Sequence, residues 1–293
     1  MVFFSWAILG FQQNLFSLAR KDGALIFTLM AMSMTVSFLG TGSGAPTADR
    51  FFSSTLLHLA QRHLLVDAGE PCVHLLKDRG DVLLEISTIL ITHGHVDHIG
   101  GLPALLQGCK LSGRSALLEV YLPEEMIAPL RAWISALYLP EEGLGFPVNW
   151  IGWKNGVQSD LGDEITVTAH RNGHLDSCYR QRPGADSSRS CDSYSLEVES
   201  GDCRVIFSGD LASPQELSPF LDRPIQLLIT ELAHFTLGEL ADALQNASVE
   251  TLCLVHLADE YAGERSEVKM QMEELLPKIN DVILPEDGEV LDF

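Results

Sequence analysis

The sequence predicts an α+β fold, which some schemes class as α/β, arranged as a four-layer αββα sandwich. Short apolar strand patterns alternate with helical patterns along most of the chain, as is typical of sheets covered by helices. Both halves of the chain are rich in strands and carry a few helices. Two such βα halves packed face to face would give the four layers.

The first half carries a clear series of strand and helix patterns. The strands at 55–59 and 63–66 are expected to pair as a hairpin around Ala60-Gln61. The segment 140–162 is rich in Gly, Pro and Trp and is predicted to be irregular and to cover the functional site. Strands are predicted at 35–39, 55–59, 63–66, 88–91 and 117–122, and helices at 71–78, 102–107 and 124–137.

The second half repeats the alternation. The strands at 194–198 and 204–207 are expected to form another hairpin across Ser200-Gly201-Asp202. The polar stretch 178–192 is predicted to be a mobile loop. Strands are predicted at 164–169, 194–198, 204–207, 225–230, 251–255, 282–284 and 289–291, and helices at 236–245 and 265–276.

Residues 1–33 stand apart from these patterns, so the folded domain is expected to span 34–293. The first residues are uncharged up to Ala19, and positive charges follow this apolar stretch rather than precede it, which argues against a signal peptide. We interpret 1–33 as an N-terminal extension, disordered or apolar, or as residues upstream of the true start. A membrane anchor is the alternative, because an uncharged stretch of this length can span a bilayer.

The charge and the cysteines of the chain bear on its binding partners and on its cellular compartment. The formal net charge of −21 at pH 7 argues against extended RNA binding, since nucleic-acid affinity depends on Lys and Arg that neutralise phosphates. The 6 cysteines are scattered and include no C-x-x-C pair, which is typical of reduced thiols in a cytoplasmic protein. A disulfide between Cys178 and Cys191 is the alternative, and a homodimer stays open.

The most informative segment is His93-Gly-His-Val-Asp-His98. Three imidazoles and one carboxylate within six residues follow an apolar strand and precede Gly100-Gly101. Such ligands suit Zn²⁺, Mn²⁺ or Fe better than Mg²⁺ or Ca²⁺. Further ligands are expected from later strand ends. His174, Asp210 and His256 each follow an apolar strand pattern.

With these residues the chain resembles the metallo-β-lactamase superfamily, and within it the ribonuclease Z-like branch. The resemblance covers roughly 34–293. It rests on the segments 38–46 (FLGTGSGAP), 65–69 (LVDAG), 92–101 (THGHVDHIGG) and 207–210 (FSGD), with His174 and Val255-His256. The central motif points firmly to the superfamily, and the other segments point less firmly to the branch.

The resemblance implies a dinuclear centre. Two Zn²⁺ per chain are expected, with Mn²⁺ or Fe as alternatives, and a bridging hydroxide would be the nucleophile. Asp97 is expected to double as the group that orients or deprotonates the attacking water. The implied ligands are His93, His95 and His174 for the first metal, Asp97, His98 and His256 for the second, and Asp210 between them.

Glu231 and His234 form a second cluster, and both are candidate catalytic residues. In the resembling family a His in a similar place assists the leaving group or grips a phosphate, although the local His-Phe-Thr differs from the usual His-Ser-Thr. The alternative is that both residues orient a ligand imidazole. Asp67 is expected to hydrogen-bond backbone or a ligand histidine rather than to bind metal.

The expected reaction is hydrolysis by a zinc-dependent enzyme, and a phosphodiesterase is the first expectation. The charge, and the lack of a long Gly/Pro/Lys-rich insertion of the kind that grips tRNA, favour a small molecule or a cyclic nucleotide over structured RNA. A carboxylic ester, lactone or thioester hydrolase is the main alternative. A di-iron redox protein and a non-catalytic scaffold are remote ones. No membrane partner is expected unless residues 1–33 anchor the chain.

Overall fold

The computed structural model describes residues 16–21, 24–29, 34–80, 82–176, 179, 184 and 190–293. Met34–Phe293 form one compact unit. Within Met1–Ser33, the strands β1 (Phe16–Lys21) and β2 (Ala24–Leu29) pair with each other antiparallel. The interpretation of 1–33 as an extension stays a prediction. Among the described residues, no helix combines the length and apolar character that crossing a bilayer requires.

The compact unit contains two sheets of seven strands each. In chain order the strands are β3 (Met34–Gly40), β4 (Ser54–Leu59), β5 (Arg62–Val66), β6 (Ile86–Leu90), β7 (Leu118–Leu122), β8 (Val148–Gly152), β9 (Gln158–Gly162), β10 (Ile165–Asn172), β11 (Ser193–Ser200), β12 (Cys203–Phe207), β13 (Ile225–Leu232), β14 (Val249–Leu257), β15 (Asp281–Ile283) and β16 (Val290–Asp292). The first sheet has the order β16-β3-β4-β5-β6-β7-β8, and the second has the order β15-β14-β13-β12-β11-β10-β9.

Helices cover the outer face of each sheet. They are α1 (Cys72–Asp78), α2 (Val82–Glu85), α3 (Val96–Ile99), α4 (Leu102–Leu111), α5 (Glu124–Ala136), α6 (Leu237–Leu244), α7 (Asp259–Ala262) and α8 (Arg265–Leu275), with 3-10 turns at Glu141–Gly143 and Pro214–Phe220. Apolar residues of α1, α4 and α5 pack with the first sheet, and those of α6 and α8 pack with the second. The predicted four-layer αββα sandwich is confirmed.

Alternation along the strands explains how both faces of the first sheet are buried. In β5, Leu65 belongs to the apolar cluster under the helices, whereas its neighbour Leu64 points the opposite way and is also fully buried. On that opposite face the Met34 sulfur lies 3.7 Å from the Cys203 sulfur of β12. The two sheets therefore meet across this inner layer.

Both predicted hairpins form, and one predicted region is wrong. Residues 60 and 61 connect β4 with β5, and residues 201 and 202 connect β11 with β12. The segment 140–162 was expected to be irregular, but it contributes β8 and β9, an edge strand in each sheet. Its polar and Gly-rich sequence hides these strands because an edge strand needs a partner on only one side and can expose half of its residues. The predicted loop 178–192 lies largely outside the described residues, as does Cys178.

Candidate metal centre

The candidate site lies where strand ends of both sheets meet. The strand β6 delivers the loop that begins at Thr92, and α3 starts directly after it at Val96. From the second sheet, Asp210 follows β12, and His256 lies near the end of β14. His174 follows β10 by two residues. The fold thus gathers strand-end residues that are up to 163 positions apart, from His93 to His256.

The seven residues predicted as ligands come together in two groups. Within these groups the possible ligand atoms all lie within 4.8 Å of one another. Six of the seven residues are buried and His95 is half-buried. The first group is His93, His95, His174 and Asp210, and the second is Asp97, His98 and His256.

Asp210 lies between the two groups. Its Oδ2 atom is 3.8 Å from His93 Nε2 and 3.6 Å from His174 Nε2, both in the first group. The same carboxylate reaches the second group, with Oδ1 3.3 Å from His98 Nε2 and Oδ2 3.4 Å from His256 Nε2. A single carboxylate therefore faces both groups at once, as a bridging ligand must.

Backbone geometry places Asp210 in this position. The preceding residue, Gly209, has φ of +57°, and a Cβ there would lie 2.9 Å from the Tyr194 carbonyl oxygen and 3.1 Å from the Thr92 Cβ. A larger residue would meet both a strained backbone and a steric contact. The Ser-Gly-Asp segment found in the sequence therefore turns tightly against the first sheet.

Asp67 holds the loop that carries the first ligands. Its carboxylate accepts hydrogen bonds from the Thr92 backbone N–H at 2.8 Å and from the Thr92 hydroxyl at 2.9 Å. It also lies 2.7 Å from His98 Nδ1. This confirms the expectation that Asp67 contacts backbone and a histidine that is a candidate ligand. With Nδ1 held by a carboxylate, Nε2 is the nitrogen that His98 presents to the site.

Other candidate ligand histidines contact neutral groups. His256 Nδ1 lies 3.0 Å from the Ser53 hydroxyl, and His93 Nδ1 lies 3.1 Å from the Thr92 hydroxyl. The His174 backbone N–H donates to Asn172 Oδ1 at 3.3 Å. Sequence reasoning missed Ser53, because 203 positions separate it from His256 and an isolated serine carries no motif.

The protonation states of the first group suit metal binding. Burial lowers the pKa of His93 well below its usual value, and burial also lowers the pKa of His174 to about 4. Burial would raise the pKa of Asp210, but the imidazoles of His256 and His98 outweigh it, so the pKa is well below its usual value. Near neutral pH the two imidazoles are neutral and the carboxylate is ionised, which are the forms that ligate metals.

Buried polar atoms without hydrogen bonds also lie at the centre of the site. Among the described residues, three buried atoms at the centre of the site make no hydrogen bond: His93 Nε2, His98 Nε2 and Asp210 Oδ1. Buried polar atoms without partners are rare and costly in folded proteins. Imidazole nitrogens and a carboxylate oxygen that converge in this way are suited to a divalent cation.

Glu231 and His234 lie beside the metal groups. Glu231 is fully buried, and its carboxylate accepts hydrogen bonds from the backbone N–H groups of Leu211 at 2.6 Å and Ala233 at 3.0 Å. It also lies 2.7 Å from His234 Nδ1. The His234 ring centroid is 4.8 Å from that of His174. His234 thus borders the site, whereas Glu231 lies behind it with its oxygens already occupied.

Three further histidines, His58, His63 and His74, lie on β4, β5 and α1. His58 and His63 are cross-strand partners on β4 and β5, with parallel rings 4.3 Å apart. His74 is an exposed residue of α1. None of the three belongs to either group of candidate ligands found among the described residues.

Comparison with known proteins places this chain among related sequences. A family model described as anti-Pycsar protein Apyc1 matches residues 34–275. The chain is 28% identical to the ribonuclease Z of Natronomonas pharaonis, over 89% of this chain and 98% of the relative. It is 46% identical to the ribonuclease Z of Rippkaea orientalis, but only over 34% of this chain and 32% of the relative.

Solved structures share the fold. The metallo-β-lactamase fold protein YhfI from Bacillus subtilis matches with a TM-score of 0.71 and 19% identity, over 89% of this chain and 100% of that one. Yeast PDE1 matches with a TM-score of 0.66 and 13% identity, over 90% and 100%. The short form of human tRNase Z matches with a TM-score of 0.64 and 22% identity, over 88% and 98%. The resemblance to the metallo-β-lactamase superfamily and its ribonuclease Z-like branch is confirmed.

Proposed function

The chain belongs to the anti-Pycsar protein Apyc1 family, and from this membership, its similarity to ribonuclease Z and its site we propose that it is a metal-dependent phosphodiester hydrolase. The observation that carries the proposal is the pair of ligand groups that share Asp210. Such a pair suits a reaction in which charge develops on both the attacking and the leaving oxygen.

We assign the seven predicted residues as the metal ligands. Two bound divalent ions, Zn²⁺ by preference and Mn²⁺ or Fe as alternatives, would activate a water molecule and neutralise charge on the phosphoryl oxygens. His93, His95 and His174 would hold one ion, Asp97, His98 and His256 would hold the other, and Asp210 lies between the two groups where it could serve both. Asp67 and Ser53 keep His98 and His256 oriented so that Nε2 of each faces inward.

Asp97 has a second role in this proposal. Its Oδ2 atom is 3.4 Å from His98 Nε2, and a Cβ at Gly44 would lie 3.2 Å from the same oxygen. The Gly-rich loop therefore lies against this carboxylate and restricts its movement. A carboxylate fixed in this way orients the attacking water and accepts its proton.

His234 donates a proton to the leaving group. Burial lowers its pKa, but the hydrogen bond with the Glu231 carboxylate outweighs this effect and the pKa is raised. Glu231 holds Nδ1 at 2.7 Å, so Nε2 is the ring atom that carries the transferable proton. Glu231 thereby acts as a positioning residue, through His234 and through the Leu211 N–H next to Asp210.

The substrate is a small phosphodiester, and a cyclic nucleotide fits best. A pocket of about 230 Å³ lies beside His95, and its lining is mostly apolar. Such a pocket suits a compact organic group such as a nucleobase. The net charge of −21 opposes a long polyanion. The pocket is lined by Gly94, His95, Glu125, Met126, Leu175, Tyr179, Ser190 and Cys191.

A substrate panel tests this proposal. The purified protein is assayed with bis-p-nitrophenyl phosphate, cyclic nucleotides, a tRNA precursor, a lactone and a thioester, and its metal content is measured in parallel. We expect turnover of the small phosphodiesters and about two metal ions per chain. Turnover of the lactone or thioester without the phosphodiesters would replace the proposal with the alternative hydrolase, and preference for the tRNA precursor would contradict the small substrate.

The role of His234 has its own test. We expect His234→Ala to reduce turnover about 10²–10⁴-fold, the usual contribution of general acid catalysis, while metal content stays at the wild-type level. His74→Ala removes an exposed histidine of α1 and serves as the control. Loss of metal from His234→Ala would show instead that this residue orients a ligand.

A further inference from the structure

A carboxylate near the C-terminus reaches the loop that supports the metal site. Asp287 lies just before β16 and beyond residues 34–275, the range that the family model matches. Its Oδ1 atom accepts hydrogen bonds from the Thr41 backbone N–H at 2.8 Å and from the Thr41 hydroxyl at 2.7 Å. Its Oδ2 atom accepts a hydrogen bond from the Phe51 backbone N–H. One side chain therefore fixes both ends of the loop from Thr41 to Phe51.

The two ends of this loop also bond to each other, next to Asp287. The Gly42 backbone N–H donates to the Phe51 carbonyl oxygen at 2.7 Å. Gly42, just after β3, also forms isolated bridges with Phe52, just before β4, and with Leu257 of β14 in the other sheet. The loop therefore joins the first sheet to the strand that carries His256.

His256 contacts the first residue of this loop and a residue just after its end. The His256 backbone N–H donates to the Thr41 carbonyl oxygen at 2.8 Å, and the Ser53 hydroxyl lies 3.0 Å from His256 Nδ1. Thr41 is bound directly to Asp287, and Ser53 follows two residues after Phe51, the other residue that Asp287 holds. Asp287 is thus connected to the His256 backbone through Thr41. It is connected to the His256 ring through Phe51 and the nearby Ser53 hydroxyl.

His256 needs this support because its backbone is strained. Its φ is +48°, in the left-handed region that residues with a Cβ seldom adopt. Such a conformation persists only where surrounding contacts over-determine it. In this conformation Nε2 lies 3.4 Å from Asp210 Oδ2 and 4.0 Å from Asp97 Oδ2.

We propose that Asp287 is a positioning residue that holds His256 in its metal-binding conformation through Thr41 and Ser53. The inference rests on the proposed dinuclear site and extends it to a residue 31 positions beyond the ligand. Asp287 does not touch metal or substrate in this scheme. Its effect falls on the group of Asp97, His98 and His256, and the group that contains His93 is unaffected.

The test is a titration of metal-free, full-length protein with Zn²⁺, in which calorimetry measures the affinity of each binding step. Asp287→Ala is compared with wild type, and His256→Ala identifies which binding step belongs to the second group. We expect Asp287→Ala to weaken that step about 10–100-fold, the usual effect of losing a partner that orients a ligand, with the other step unchanged. Asp287→Asn keeps an acceptor for Thr41 but offers an N–H to the Phe51 N–H, so a smaller loss is expected.

A matched control lies on the same C-terminal segment. Asp292 of β16 accepts a hydrogen bond from the Thr35 hydroxyl at 2.8 Å, and this pair is exposed. Asp292→Ala is expected to leave both binding steps at wild-type values. A general loosening of the C-terminus would weaken binding in this variant too, and that result would overturn the inference.

Other results of the same titrations would overturn the role of Asp287 or separate it from the proposed function. Wild-type affinity in Asp287→Ala, or equal weakening of both steps, would overturn the role of Asp287. If Asp287→Ala does not fold, Asp287→Asn decides by the same criterion. Two metals bound by wild type without phosphodiester turnover would refute the proposed function and leave this inference standing, because its readout is metal affinity. Absence of a second binding step in wild type would refute both.

Discussion

Replacing Asp67 with Asn probes how the fold sets the tautomer of His98. Asp67 is 5% exposed, accepts from the Thr92 backbone N–H at 2.8 Å and lies 2.7 Å from His98 Nδ1. In Asp67→Asn the amide oxygen must stay on Thr92, because a backbone N–H cannot turn away. The amide NH₂ then faces His98 Nδ1, which must become an acceptor. The proton moves to Nε2, the nitrogen that points to Asp97 and Asp210.

The size of the effect follows from this geometry. A protonated Nε2 cannot ligate metal, so binding requires breaking the new hydrogen bond or shifting the ring. Loss of a partner that orients a ligand histidine costs about 10–100-fold in metal affinity, which corresponds to about 1.4–2.8 kcal/mol. The fold itself should lose less, because an amide oxygen at the Oδ1 position can still accept from the Thr92 backbone N–H at 2.8 Å and from the Thr92 hydroxyl at 3.0 Å. We therefore expect a protein of nearly native stability with one weak metal site.

The assay is metal content after dialysis against buffered Zn²⁺, together with urea unfolding of the metal-free protein. Glu197→Gln is the control, since Glu197 is a buried carboxylate whose partners are His170, Arg204 and Arg223 rather than a candidate ligand. Its metal content should equal that of wild type. Two tightly bound metals in Asp67→Asn would refute the argument from the tautomer. Large destabilisation of the metal-free variant would show instead that Asp67 acts mainly on the fold.

Glu197→Gln also carries a prediction about pH. Burial raises the pKa of Glu197, but hydrogen bonds with His170 and Arg204 outweigh it and lower the pKa from 4.5 to about 2. The ionised group therefore stabilises the fold above about pH 4.5, by at most about 3 kcal/mol, and this contribution is lost as the pH falls towards 2. Urea unfolding should show the gap between wild type and Glu197→Gln narrowing between pH 6 and pH 3, and a constant gap would contradict the assignment. In Gly69→Ala the new Cβ would lie 2.3 Å from the Asp97 carbonyl oxygen, so we expect backbone displacement and reduced metal content, and an unchanged metal content would show that this contact relaxes freely. Chelation should lower the Tm of the wild-type protein, because ions that bind only the folded state stabilise it; a Tm that does not respond to EDTA would count against bound metal.

The sequence predicted the αββα layers because buried strands and amphipathic helices have distinct apolar periodicities that do not depend on distant residues. It missed β8 and β9 for the converse reason. These edge strands expose much of their surface, so their residues carry little apolar alternation, and their pairing is visible only when the neighbouring strand is in place.

The candidate ligands were accessible from sequence for a chemical reason. Metal binding requires particular side chains, and four of the seven lie within the six residues from His93 to His98. The other three, His174, Asp210 and His256, were selected as polar residues at strand ends, and the fold brings all seven together. Their roles as ligands remain the proposal that the metal titrations test.

By itself, the sequence determined the type of chemistry, since ligand identity and strand patterns are local properties. Only the tertiary structure decided which groups lie close enough to orient those candidate ligands. Ser53 and Asp287 carry no motif, and Asp287 meets Thr41 across 246 positions of chain. Hydrogen bonds of this kind depend on which backbone and side-chain groups the packed sheets bring within about 3 Å. That proximity arises when β16 and β14 converge on the Gly-rich loop, and no pattern along the chain encodes it.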